Sequence, residues 1–108
     1  MYTYEQIEAQ AQTLIDTLFA ERNRNPNPHF ETVFWLTQGR KYNRLVQDTR
    51  NKETGKLFEQ RSVAAFIDNE GNIYKSAGWK APAKGIRGNI FNDATTATDG
   101  TGFIRYLR

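Results

Sequence analysis

The sequence contains no cysteine and a single histidine, which narrows the chemistry open to it. Without thiols the chain forms no disulfide, thiol nucleophile or thiolate metal site. It also lacks any apolar run of the roughly 20 residues that a membrane-spanning helix requires. Residues 1–5 have neither the basic nor the apolar region of a signal peptide. We therefore expect a cytoplasmic protein that binds no membrane.

Apolar residues are present in the amount that a folded domain needs. Of the 108 residues, 38% are hydrophobic and 13% aromatic. A chain of this length buries well over half of its unfolded surface, which offsets the entropy lost when the backbone is ordered. We predict a single domain spanning residues 1–108.

The first segment predicts an amphipathic helix. Thr3 and Gln6 have the spacing of a capping box, in which each side chain bonds the other residue's backbone N–H. Apolar residues then recur at spacings of three and four, which places them on one helix face. They are Ile7, Ala11, Leu14, Ile15 and Leu18. The prolines in residues 23–28 end the helix.

The middle of the chain predicts an antiparallel sheet. Residues 30–36, 41–46, 57–67 and 72–76 are rich in β-branched and aromatic side chains, which favour strands. Glycine-containing turns separate them. The predicted fold is α+β: an N-terminal helix packed on an antiparallel sheet of four to five strands.

The C-terminal third is harder to assign. Pro82 suits the first turn of a helix, so a short helical turn is predicted near residues 80–87. Residues 92–102 are nearly all Asn, Asp, Thr, Ala and Gly, which is typical of a mobile linker. Residues 103–108 have strand-like composition and are predicted to add a C-terminal strand.

Few residues suggest catalysis. His29 has no accompanying nucleophile or orienting partner in sequence, so we expect an ordinary residue at the start of a strand. Asp68, Asn69 and Glu70 offer oxygen ligands, but Asp-Asn-Glu-Gly is first of all a favoured turn. We predict a protein that is not an enzyme, has no catalytic residues and needs neither metal nor cofactor.

One stretch mixes aromatic rings with positive charge. Residues 74–87 contain no acid and six side chains suited to binding an anion with flat apolar parts, as in single-stranded nucleic acid. They are Tyr74, Lys75, Trp79, Lys80, Lys84 and Arg87. Arg40, Lys41 and Arg44 extend this surface if the second and fourth strands expose the same face. The alternative is structural: Trp79 anchors the core and the lysines are only solvated.

The same region resembles a family of small, mostly uncharacterised bacteriophage proteins. The resemblance covers about residues 41–91, and its specific part is the run Gly-Asn-Ile-Tyr-Lys-Ser-Ala-Gly-Trp-Lys-Ala-Pro-Ala-Lys-Gly-Ile-Arg at residues 71–87. It implies a viral origin, with host cytoplasm as the expected location and the virion as the alternative. It implies no activity.

Together these features predict a phage-encoded binding protein that contacts nucleic acid through its basic and aromatic residues. A protein-binding role is the alternative, either as a minor virion component or as an inhibitor of a host defence protein. Salt separates the two, because phosphate contacts make affinity fall steeply with ionic strength.

Overall fold

The computed structural model describes residues 1–106 and has the predicted α+β fold. One helix precedes five strands that form a single antiparallel sheet in chain order, and a 3₁₀ helix follows. The elements are α1 (Tyr4–Arg22), β1 (Phe30–Thr37), β2 (Tyr42–Asn51), β3 (Ser62–Asp68), β4 (Asn72–Ser76), β5 (Pro82–Asn89) and the 3₁₀ helix (Ala94–Ala97).

Side-chain hydrogen bonds fix both ends of α1. The backbone N–H of Gln6 donates to Thr3 Oγ1 (3.2 Å) and that of Thr3 donates to Gln6 Oε1 (2.9 Å), which confirms the capping box. Beyond the last turn, the Asn23 amide donates to the carbonyl of Thr32 and accepts from its N–H. The end of the helix is therefore tied to the edge strand β1.

The core lies between α1 and one face of the sheet. The predicted helix stripe is buried except for Ile15, which is partly buried. It packs against apolar residues of β1 to β4, and Ala94, Ala97 and Ile104 complete the same cluster. The sheet residues of this cluster include Phe34, Leu36, Leu45, Ala65, Ile67 and Ile73.

The short helical turn predicted near residues 80–87 is wrong, because β5 occupies this stretch. Ser76 pairs with Pro82 and Tyr74 with Ile86. Proline is tolerated here because Pro82 is the first residue of an edge strand, where a missing N–H costs no ladder bond. Gly85 has a φ of 94°, which is incompatible with a right-handed helix.

Other boundaries also differ from the sequence prediction, and β2 extends to Asn51 rather than ending at residue 46. β3 begins at Ser62 rather than at residue 57, since Glu59 has a positive φ (61°) that interrupts the extended chain. The predicted terminal strand is absent from residues 103–106, where only Ile104 pairs, in an isolated bridge with Thr98. The fifth strand of the sheet is β5. Leu107 and Arg108 lie outside the described residues.

Ending the chain after Phe91 should destabilise the fold strongly. The mobility of residues 92–102 stays a prediction. Ala94 and Ala97 of this segment are buried in the core, and so is Ile104, which follows it. Burial of one isoleucine side chain contributes about 1.5–3 kcal/mol. We expect the free energy of unfolding, measured in urea, to fall by at least about 3 kcal/mol. A loss below about 1 kcal/mol would mean that the segment is dispensable.

Candidate nucleic-acid interface

A row of side chains crosses all five strands on the face that α1 leaves uncovered. The strand register places Thr37 opposite Arg44, Arg44 opposite Phe66, Phe66 opposite Tyr74 and Tyr74 opposite Ile86. Directly opposed residues point to the same side of a sheet. Their strand neighbours Leu36, Leu45 and Ala65 face α1 in the core. We define the aromatic face as Tyr42, Arg44, Phe66, Tyr74, Trp79 and Ile86.

Phe66 is the anchor of the aromatic face. Its side chain is only 1% exposed, although no helix within residues 1–106 covers this side of the sheet. The Tyr42 ring packs edge-on at 6.0 Å between ring centroids, and the Arg44 guanidinium lies 5.8 Å from the Phe66 centroid. Neighbouring side chains of the face therefore bury Phe66, and they form the outer surface on this side of the sheet.

Arg44 holds Trp79 at the surface. Arg44 Nε donates to the Trp79 carbonyl (2.8 Å), and the guanidinium carbon lies 5.7 Å from the indole ring. Trp79 is 47% exposed, so the structural alternative that places it in the core is wrong. Its segment connects β4 to β5, and the contact brings this connection against Arg44 of β2.

Tyr74 is fixed by a hydrogen bond to a turn residue. Its hydroxyl donates to Asp68 Oδ2 (2.9 Å), and its ring packs edge-on against Tyr42 at 5.5 Å. Asp68 Oδ1 accepts from the backbone N–H groups of Glu70 and Asn72, as expected of a turn. Burial, together with the hydrogen bond to Asp68, raises the pKa of Tyr74 to about 12.

Tyr74 should make stability fall at alkaline pH. Its pKa rises from 10.0 to about 12 on folding, so the native state retains a proton that the unfolded chain has lost. The contribution is complete below pH 10 and disappears as the pH rises through 12. Titration of tyrosinate absorbance should show a step near pH 12 that Tyr74→Phe removes. An unchanged titration in that variant would contradict the assignment.

Four other predicted cations lie outside the defined aromatic face. Lys41 Nζ lies 5.5 Å from the centroid of the Tyr42 ring, and Arg40 precedes it in the turn between β1 and β2. Lys80 follows Trp79, and Lys84 lies on β5 between Pro82 and Ile86. All four are exposed to solvent.

Lys75 and Arg87 are not part of the aromatic face. Lys75 pairs with the core residue Ala65, so it points to the α1 side, where its Nζ donates to the Ile104 carbonyl (2.5 Å). Arg87 is only 5% exposed and donates to the carbonyls of Lys84, Gly85 and Arg105. Alternation along a strand explains the separation of Lys75 from Tyr74.

Sequence reasoning missed residues on the two edge strands of this face, β1 and β5. Trp35 pairs with Val46 and therefore shares the uncovered side, and the Arg61 guanidinium lies 5.9 Å from its ring. Ile86 is 51% exposed beside Tyr74. Alternation along residues 30–37 indicates which side chains of β1 share a face. The sequence does not give the register between β1 and β2, which determines the residues that lie beside them.

His29 lies away from the aromatic face, at the start of β1. Its Nδ1 is 3.5 Å from Glu53 Oε1, and both side chains are largely exposed. Among residues 1–106 no His, Asp and Glu side chains cluster so as to hold a metal ion. No helix in the described part of the chain is long and apolar enough to cross a membrane.

Comparison with known proteins places the chain in one family. The profile of DUF7717, described as a family of unknown function, matches residues 1–107. The chain belongs to this family. Neither the curated proteins nor the solved structures contain a match.

Proposed function

We propose that this member of a family of unknown function is a non-enzymatic protein that binds single-stranded nucleic acid on its aromatic face. The observation that carries the proposal is the cross-strand row from Arg44 to Ile86, joined by Trp79. Aromatic rings stack on bases, and cations at the rim of such a platform neutralise phosphates.

The size of the face suits a short segment of nucleic acid. Strands β2 to β5 contribute to it, and neighbouring strands lie about 4.8 Å apart, so the row is about 14 Å long. A four-stranded sheet with aromatic side chains holds about two or three bases in a common class of RNA-binding module. We expect a similar number of bases here.

The charge distribution favours the same face. Residues 1–22, which include α1, carry four acidic side chains and one arginine, a net −3. The formal net charge of the whole chain is +3, so the remainder carries +6. Because α1 packs on the opposite side of the sheet, its acidic residues lie away from Trp79 and Lys80. A polyanion is therefore drawn to the uncovered side.

Reversing two charges at the rim should weaken binding without unfolding the protein. In the Lys80→Glu, Lys84→Glu variant two exposed cations become anions, and affinity for a fluorescent oligonucleotide should fall for every sequence. Thermal unfolding should change little, because exposed charges contribute little stability.

The matched control is Lys52→Glu, Lys56→Glu. It makes the same change in net charge in the exposed loop after β2. Asn51 at the end of β2 is seven residues from Arg44, or about 23 Å of strand. Equal losses of affinity in the two variants would point to net charge alone and would count against the aromatic face.

A second candidate is a protein partner, favoured by the apolar exposure of Trp79 (47%) and Ile86 (51%). Trp, Tyr and Arg dominate the energetics of protein interfaces, and the aromatic face contains all three. The partner would be a phage protein or a host defence protein. Binding to it would depend much less on salt than phosphate contacts do.

The origin of the chain is part of the proposal. Its resemblance to small bacteriophage proteins supports a phage-encoded product that acts in the host cytoplasm, with the virion as the alternative site. Mass spectrometry of purified virions and of infected cells would separate these locations.

A further inference from the structure

A second polar region lies in a cavity beside the last residue of α1. The cavity has a volume of about 270 Å³, and no aromatic-face residue lines it. No lining residue carries a carboxylate, and Phe103 forms part of its apolar wall. Its polar lining comes from Arg22, Gln47, Ser62, Lys75 and Ser76.

The cavity contains more hydrogen-bond donors than acceptors. Arg22 Nη2 donates to Gln47 Oε1 (3.2 Å) and to the Gly102 carbonyl (2.7 Å), while Arg22 Nε is buried and has no partner among the described residues. Lys75 Nζ donates to the Ile104 carbonyl. A guanidinium has five N–H donors and an ammonium three, so both groups retain unused donors.

The two cations are also partly removed from water. Burial lowers the pKa of Arg22 and the pKa of Lys75. Neither takes part in an ion pair within residues 1–106. The negative charge of Asp99 partly offsets the lowering of both pKa values. Its Oδ1 accepts hydrogen bonds from the N–H and the hydroxyl of Thr101 rather than from either cation. An anion bound between Arg22 and Lys75 would compensate for their desolvation.

We propose that this cavity binds a small oxyanion, a phosphate or a carboxylate, between Arg22 and Lys75. Pockets for drug-sized ligands have volumes of about 300–1,000 Å³, so a cavity of about 270 Å³ suits a smaller ligand. The Ser62 hydroxyl, which accepts from Gln47 Nε2 at 2.8 Å, has its own proton free to donate to the anion. The Phe103 ring, 3.8 Å from the Arg22 guanidinium carbon, closes one side of the site.

Thermal unfolding in the presence of inorganic phosphate or acetate tests the site. Each anion is titrated at constant ionic strength, with chloride as the balancing salt. A ligand that binds only the native state raises the midpoint as its concentration passes Kd. We expect one of the two anions to stabilise the protein beyond chloride, and the anion that does so identifies the ligand class. No stabilisation beyond chloride by either anion would overturn the proposal.

Two variants locate the binding. Lys75→Met should weaken binding of the stabilising anion about tenfold, since it removes a charge-assisted hydrogen bond. Lys52→Met makes the same change in the exposed loop after β2 and should have no effect. If Lys75→Met does not fold, Ser62→Ala can be used instead, because it keeps both cations. It should lower the affinity for the anion about fivefold. Equal affinity in the wild type and in the folded cavity variants would place the anion elsewhere and overturn the proposal.

The oligonucleotide assay separates this proposal from the proposed function. Lys75 points to the α1 side of the sheet, so Lys75→Met should retain oligonucleotide binding. Loss of anion binding with intact oligonucleotide binding supports two independent sites. Joint loss in a folded variant would show that the cavity and the nucleic-acid site are one, and would overturn the cavity as a separate site.

Discussion

Phe66→Ala should lower the free energy of unfolding by about 3–5 kcal/mol, the range measured for large-to-small changes at buried phenylalanines. Phe66 is 1% exposed and is covered by Tyr42 and Arg44 rather than by a helix. The substitution leaves a cavity beneath the Tyr42 ring and the Arg44 guanidinium. Urea unfolding with an unchanged m-value would measure the loss.

The comparison with Trp79→Ala makes this result specific. Trp79 is larger than Phe66 but 47% exposed, so we expect its replacement to cost about 1 kcal/mol or less. If Trp79→Ala were as destabilising as Phe66→Ala, Trp79 would be an anchor of the fold. It would then be removed from the residues available to a ligand.

Trp79→Ala should have its large effect on binding instead. Stacking of one base on an aromatic side chain contributes about 1–3 kcal/mol, which corresponds to about 5- to 150-fold in affinity. The loss should be similar for oligonucleotides of different sequence, because every base has a stacking surface. Fluorescence anisotropy with labelled single strands would measure it.

Phe58→Ala is the matched control for that experiment. Phe58 is also an exposed aromatic residue (44%), but it packs edge-on against Phe30 and lies outside the aromatic face. Its replacement should leave oligonucleotide affinity unchanged. Affinity that falls equally in both variants would show that exposed aromatic area, and not this face, determines binding.

The fold was predictable where local signals agree. Thr3 and Gln6 form the capping box that their spacing indicates, and the helix stripe is buried apart from the partly buried Ile15. The error at residues 80–87 arose because Pro82 is compatible with both a first helical turn and the start of an edge strand. Pairing with β4, a tertiary contact, decides between them.

The candidate site was only partly predictable, because the sequence does not state which residues share a face. Tyr74 and Lys75 are neighbours in the sequence and were predicted to belong to one binding surface. Alternation along β4 places them on opposite faces of the sheet. Arg87 is buried and donates hydrogen bonds to three backbone carbonyls. The residues around it in the sequence do not indicate this structural role. Conversely, Arg44 and Trp79 meet only because β2 to β5 form one sheet.

The most direct test of the proposed function is the salt dependence of oligonucleotide binding by the wild-type protein. The slope of log K against log salt is about −0.7 for each phosphate neutralised on a single strand. If Lys41, Arg44, Lys80 and Lys84 each neutralise one phosphate, the slope should be about −2.8. Absence of salt-dependent binding to single- or double-stranded DNA or RNA at micromolar protein would contradict the proposal and leave a protein partner as the ligand of the aromatic face.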